Sequence, residues 1–165
     1  MRKNKKKKGF TLIELVIVLA VLAIIALIAI PNFNKVRTDS QKKADKQTCE
    51  VIERVTLMAI ADQDMIVTGD VQIPIAAPVK KGENAVIGNP TNVLSSGNLL
   101  TQTTPPLKLE WKQDTSEEPK EVGKTNYARA LKDISKPQEK GKNSYLVTID
   151  ANENVTVTTE AVEIK

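Results

Sequence analysis

Residues 10–30 read FTLIELVIVLAVLAIIALIAI and carry one charge, Glu14. As a helix rising about 1.5 Å per residue, the stretch is about 31 Å long, close to the hydrocarbon thickness of a bilayer. Thr11 and Glu14 are its interruptions, and Leu15–Ile30 is unbroken. Many of these residues are β-branched, which disfavours helix in water. In lipid every backbone amide must pair within its own segment, so helix is the expected state.

The flanks set the direction of insertion. Six of the 24 basic residues lie in the first nine positions: Arg2, Lys3, Lys5, Lys6, Lys7 and Lys8. Positive residues favour the cytoplasmic side, which places Met1–Gly9 inside and the chain beyond Pro31 outside. Lys35, Arg37, Lys42, Lys43 and Lys46 crowd the other end less densely. Without the leader, 18 basic residues face 20 acidic ones, so the formal +4 of the whole chain speaks of targeting and not of nucleic acid.

A secretory signal peptide would end its apolar run at a small-residue cleavage site, which Ala26-Leu27-Ile28-Ala29 only loosely approximates. A plain membrane anchor would not carry Glu14 inside the run, because intramembrane charge is costly and usually functional.

Gly9-Phe10-Thr11-Leu12-Ile13-Glu14, followed by the apolar run and then Pro31, resembles the prepilin signature of type IV pilins. The same signature marks the pseudopilins of type II secretion and competence systems. The resemblance covers residues 5–34 strongly and is architectural beyond them. It implies cleavage between Gly9 and Phe10 by a prepilin peptidase and N-methylation of the new Phe10 amine. It further implies insertion in the cytoplasmic membrane, extraction by a pilus assembly platform and polymerisation with copies of itself into an extracellular filament. Phe10, Glu14 and Pro31 are the implied assembly residues; no cofactor, metal or nucleic acid is implied for a major pilin. Three segments follow: a leader 1–9 that is removed, an apolar helix 10–31, and a globular region 32–165.

Once cleaved, Phe10 would carry an amine with a reference pKa near 8, largely protonated at neutral pH. Phe10 and Glu14 are four residues apart, on one face of a helix. Glu14 is therefore expected to be neutralised by its own amine in the membrane and by a neighbour's amine in a filament. Pro31 removes one helical hydrogen bond and predicts a bend if the helix continues. Pilins often carry a helix glycine before this proline, associated with local melting; none occurs between Phe10 and Pro31 here.

Beyond Pro31 the pattern predicts a continuing helix over 32–62, with Cys49, Ile52, Val55, Met58, Ala59 and Ala61 along its apolar stripe. Short strands are expected at Val71–Ile75 and Ala85–Ile87, and a half-buried strand at Leu107–Lys112. Residues 88–106 and 113–124 read as loops. A short helix is expected at Asn126–Ile134 and a loop at Pro137–Asn143. Ser144–Asp150 and Asn154–Thr159 predict a hairpin closed by Ala151-Asn152-Glu153 and extended by Ala161–Ile164. The expected fold is α+β: a long N-terminal helix, membrane-spanning in its first half and amphipathic in its second, packed on a small antiparallel sheet.

The residues offer little for catalysis. Histidine, the commonest general base and metal ligand, is absent. Cys49 is the only cysteine, so an intrachain disulfide is impossible; it is expected as a small buried hydrophobe. Asp150-x-Asn152-x-Asn154 imitates a calcium loop, but Val155 and Ala161 stand where that loop needs Gly and Glu. Asp62, Asp64 and Asp70 read as solvated turn residues. Arg129 and Lys132 lack the aromatic set that single-stranded nucleic acid requires. Three function classes follow: a pilus subunit for adhesion, twitching motility or aggregation; a pseudopilin of secretion or DNA uptake; and an enzyme or receptor on an uncleaved anchor, disfavoured by the missing catalytic motifs.

Overall fold

The computed structural model describes residues 9–92, 109–114, 120–162 and 164. Residues 1–8 of the expected leader lie outside them. So do 93–108, which hold most of the expected loop 88–106 and the start of the strand expected from Leu107, and 115–119 of the loop expected over 113–124. The chain divides into two compact units, one ending at Ser40 and one running from Gln41 to Lys165.

One helix, α1 (Leu12–Ala61), belongs to both units. It starts two residues after Phe10 and runs through Pro31, where the ring nitrogen leaves the carbonyl of Leu27 without its usual donor. At its far end the Asp62 amide donates to Met58 O, and Gln63 takes a left-handed conformation with φ 56° that turns the chain out of the helix.

In the second unit, α1 buries Asp45, Ile52, Thr56 and Ala59, with Cys49, Val55 and Ile60 half-buried beside them. Steps of three and four keep these positions on one face. Met58 and Ala61, expected on this stripe, are exposed instead. The face packs against the core formed by β2 (Val71–Ala76) and β8 (Ser144–Ile149). These two antiparallel strands place Val71 opposite Ile149, Ile73 opposite Val147 and Ile75 opposite Tyr145. All six side chains are fully buried, so each cross-strand pair adds packing on the same face.

The sheet order is β3-β2-β8-β9, where β3 is Val86–Ile87 and β9 is Val155–Glu160; β4 (Thr91–Asn92) also pairs with β2. Pro74 explains why β3 and β4 are separate. Its carbonyl accepts the Gly88 amide at 2.8 Å, so its backbone polar side faces those strands. A proline cannot donate there, and β3 pairs only with residues 75–76 of β2 while β4 pairs only with 71–72. The β8–β9 hairpin turns where expected, closed by Asp150 N–H donating to Asn154 O and Glu153 N–H donating to Asp150 O.

Two small ribbons complete the unit: β1 (Met65–Val67) with β5 (Leu109–Trp111), and β6 (Gln113–Asp114) with β7 (Lys120–Glu121). Trp111 of β5 stacks at 5.7 Å, tilted, on Tyr127 of α2 (Val122–Ala130). The Tyr127 hydroxyl bonds the buried Thr56 at 2.6 Å. Thr56 donates its own proton to Ile52 O, so Tyr127 is the donor between them. The helix expected at Asn126–Ile134 thus lies about four residues earlier, and residues 131–133 form a turn. Gly123 makes the shift possible. Its amide donates to Lys112 O, and a Cβ there would lie 1.8 Å from Asp64 O.

Other expectations need correction. The loops assigned to 88–106 and 113–124 contain β4, β6, β7 and the start of α2, pairings too short to give a periodic signal. Residues 161 and 162 leave the strand: the Val162 amide donates to Ser144 Oγ, a side chain, in place of a ladder carbonyl. Asp64 and Asp70 are tethers as well as turn residues. Asp64 accepts from the Asn126 amide group and lies 3.9 Å from Lys112 Nζ; Asp70 accepts the Ala151 N–H at 2.9 Å.

Asp45 ties the loop before β8 to α1. It is 4% exposed, and its two oxygens accept the backbone N–H groups of Gln138 at 2.6 Å and Glu139 at 2.8 Å. Asp45→Ala is expected to destabilise the fold by about 3 kcal/mol in chemical denaturation, since it orphans two amides bonded to a charge. Gly123→Ala is expected to cost about as much or more, because the carbonyl it strikes is backbone and cannot rotate away; an unfolding midpoint equal to that of the parent chain would refute the close approach.

Candidate processing and assembly site

The N-terminal site is built from Gly9, Phe10, Thr11 and Glu14. Thr11 precedes the first helical residue and acts as its cap. Its backbone N–H and its hydroxyl both donate to Glu14 Oε2 at 2.9 Å. The Glu14 amide donates back to Thr11 Oγ1 at 3.3 Å. This is a reciprocal capping box, Thr-x-x-Glu, which satisfies amides that a helix start otherwise leaves unpaired. Glu14 also sits in the first turn, where the helix dipole favours a negative charge. The signal was present in the sequence as Thr11-Leu12-Ile13-Glu14, but reading Glu14 only as a charge obscured it.

Phe10 lies ahead of the cap and is 89% exposed. A Cβ added at Gly9 would meet nothing within 4 Å. The fold itself therefore places no demand for glycine at this position. Phe10 and Glu14 do not share a helix face here, because α1 begins only at Leu12.

Behind the cap, every large apolar side chain from Leu12 to Ile28 is at least half exposed. Exposed apolar patches on soluble monomers rarely exceed a few hundred Å², and this one encircles a helix for about five turns. α1 is long and apolar enough in this region to cross a membrane. Pro31 falls within α1 near the end of the apolar stretch.

The other sequence candidates resolve into structure. Asp150 Oδ1 accepts the amides of Asn152 and Asn154, and Oδ2 accepts the Asn154 side chain at 2.8 Å. These bonds, the Asn154 side chain first, hold the Asp150 carboxyl below the usual carboxylate range. Among the described residues no group of three or more His, Cys, Asp or Glu converges as a metal site. Cys49 is half-buried against the core. Burial, then the charge of Asp45, pushes its thiol up, away from the reactive thiolate.

Residues 4–30 match the family model described as the prokaryotic N-terminal methylation motif. The chain is 32% identical over 155 residues to prepilin peptidase-dependent protein A of Clostridium perfringens (strain 13 / Type A), an alignment covering 94% of this chain and 86% of that protein. No solved structure matches it.

Two measurements address this geometry. In detergent micelles, Thr11→Val is expected to speed amide exchange over residues 12–14, with a local cost of about 1 kcal/mol, and Thr11→Ser to restore protection. At the hairpin tip, a carboxyl with a depressed folded pKa keeps its bonds above the unfolded value, about 3.9, and loses them as pH falls through the lower folded value. The amide shifts of Asn152 and Asn154 are therefore expected to titrate together, with a midpoint below that of a free aspartate.

Proposed function

This chain belongs to the type IV prepilin-like family, and on that premise we propose that it is the structural subunit of an extracellular type IV pilus. In this reading it serves adhesion, surface motility or aggregation and performs no catalysis of its own. The observation that carries the reading is the apolar surface of Leu12–Ile28, exposed all round and headed by a single carboxylate. Lipid satisfies such a surface in the precursor, and the equivalent helices of other copies satisfy it in a filament.

Residues 1–9 are the leader in this scheme, residues 10–31 the membrane and filament-core segment, and residues 32–165 the globular region displayed outside. Prepilin peptidase cuts between Gly9 and Phe10. The exposure of Phe10 and the open space around Gly9 suit a peptide bond read by another protein. The relative from Clostridium perfringens carries dependence on that peptidase in its name.

Cleavage changes the electrostatics of the cap. The Phe10 nitrogen becomes a methylated amine, largely protonated at neutral pH. Both Thr11 donors go to Glu14 Oε2, and Glu14 Oε1 then offers a charge partner to the amine of a neighbouring copy. At about 4 Å and an effective dielectric near 20, the attraction is about 4 kcal/mol before desolvation costs. The apolar surface alone packs without register, so this pair supplies one. Pro31 leaves one carbonyl unpaired and gives the helix a place to bend on entering the filament.

Mass spectrometry of the mature N-terminus, from membranes and from sheared surface material, tests the proposal. A chain starting at methylated Phe10 in the sheared fraction is the expected result. Methylated Phe10 confined to membranes would indicate a pseudopilin, and an intact leader would overturn the scheme. Glu14→Ala is expected to be cleaved normally and to lose filaments; wild-type filaments from this variant would remove Glu14 from the assembly mechanism.

A further inference from the structure

The globular unit carries a concentrated positive patch that neither the fold nor the N-terminal site uses. Ala85 N–H donates to Ala128 O at 3.1 Å and draws the segment before β3 against the end of α2. The contact brings two distant pieces of sequence together around one open cleft of about 450 Å³. Lys80 and Lys81 come from the first piece, and Lys132 and Lys136 from the second. Among the described residues Asp133 is the one carboxylate lining the cleft. Lys80 lies 4.0 Å from Glu83 but its side chain is 81% exposed; Lys81, Lys132 and Lys136 form no ion pair among the described residues. Apolar lining comes from Pro78, Ile134 and Val79, the last 75% exposed.

This concentration runs against the chain as a whole, which is acidic once residues 1–9 are set aside. Asp133 in the lining and Glu83 beside Lys80 offset only part of the charge of the four lysines, and an anionic occupant offsets the rest. The composition narrows the occupant. Among the described residues no arginine and no aromatic ring lines the cleft, so they offer neither bidentate base readout nor a platform for stacking bases. Its volume suits a single flexible chain and is too small for a duplex. Lysines act as mobile point charges that follow spaced phosphates without demanding one planar geometry. Pro78, Val79 and Ile134 give the methylene groups of a polyol something apolar to rest on.

We propose that this lysine-lined cleft binds a base-free phosphodiester polymer, a polyol phosphate chain of the kind a cell surface can display. The proposal rests on the pilus reading only for placing the cleft outside the cell. It assigns the filament a ligand chemistry, with phosphates on the four lysines and the polyol against the apolar floor.

The test uses the full chain in detergent and immobilised synthetic poly(glycerol phosphate), so it needs no filament. Binding is expected to weaken with salt with a log–log slope of about −3, as for four phosphate contacts on a single strand. Lys81→Glu with Lys132→Glu is expected to weaken binding at least about tenfold and flatten the slope to about −1.4 or less, with the unfolding midpoint unchanged because both side chains are exposed. Lys42→Glu with Arg54→Glu makes the same charge change outside the cleft and is expected to leave most of the affinity. Three results would overturn the proposal: no binding by the parent chain, equal loss in both double variants, or duplex DNA bound as tightly and through the same lysines. Each leaves the mass of the mature N-terminus untouched, so failure here and failure of the pilus reading are separable.

Discussion

Everything about this chain follows from a helix surface that water cannot solvate. From Leu12 to Ile28 every large apolar side chain is at least half exposed. An amphipathic helix solves its packing problem within one molecule; a helix apolar all round cannot. It must be completed by something external, and in the proposed scheme that is first a bilayer and then its own kind. Glu14 and its Thr11 cap stand at the end of this surface, where one polar device distinguishes one axial position from the next.

The second half of α1 meets the opposite problem. Its buried face includes two polar side chains, Asp45 and Thr56, which would be costly in an apolar core without partners. Each is satisfied by a residue far along the chain: Thr56 by Tyr127, and Asp45 by the amides of Gln138 and Glu139. These bonds fix where α2 and the loop before β8 lie on the helix. Aliphatic packing in the core that holds Ile52, Val71, Ile73 and Ile75 supplies cohesion but little directional information. A small-domain core with few aromatics thereby gains a defined arrangement from three hydrogen bonds.

Period and length were the legible parts of the sequence. The long helix, β2, the strand around Trp111 and the final hairpin stood out because their apolar residues repeat over several positions. The Thr11–Glu14 box was legible and went unread. Asp45 and Thr56 were not legible, since a polar residue on a charged helix looks solvent-facing until its distant partner is known. The start of α2 lay outside the expected helix, and Gly123, a poor helix former by type, is required there by the approach of the Asp64 carbonyl. The two-residue strands β4, β6 and β7 were beyond any periodic argument. The lysine cleft was hidden for the same reason as the buried polar pairs: its halves lie some fifty residues apart and meet through the Ala85–Ala128 hydrogen bond.

The Asp45 clamp has a consequence for how this chain is made. With Cys49 alone, the region before the last hairpin is closed by a carboxylate on two amides and by the Tyr145 hydroxyl on Ser135 O. Closure of this kind needs no oxidant, no shuffling of mispaired thiols and no dedicated oxidoreductase. The closure of this region therefore does not depend on oxidising conditions.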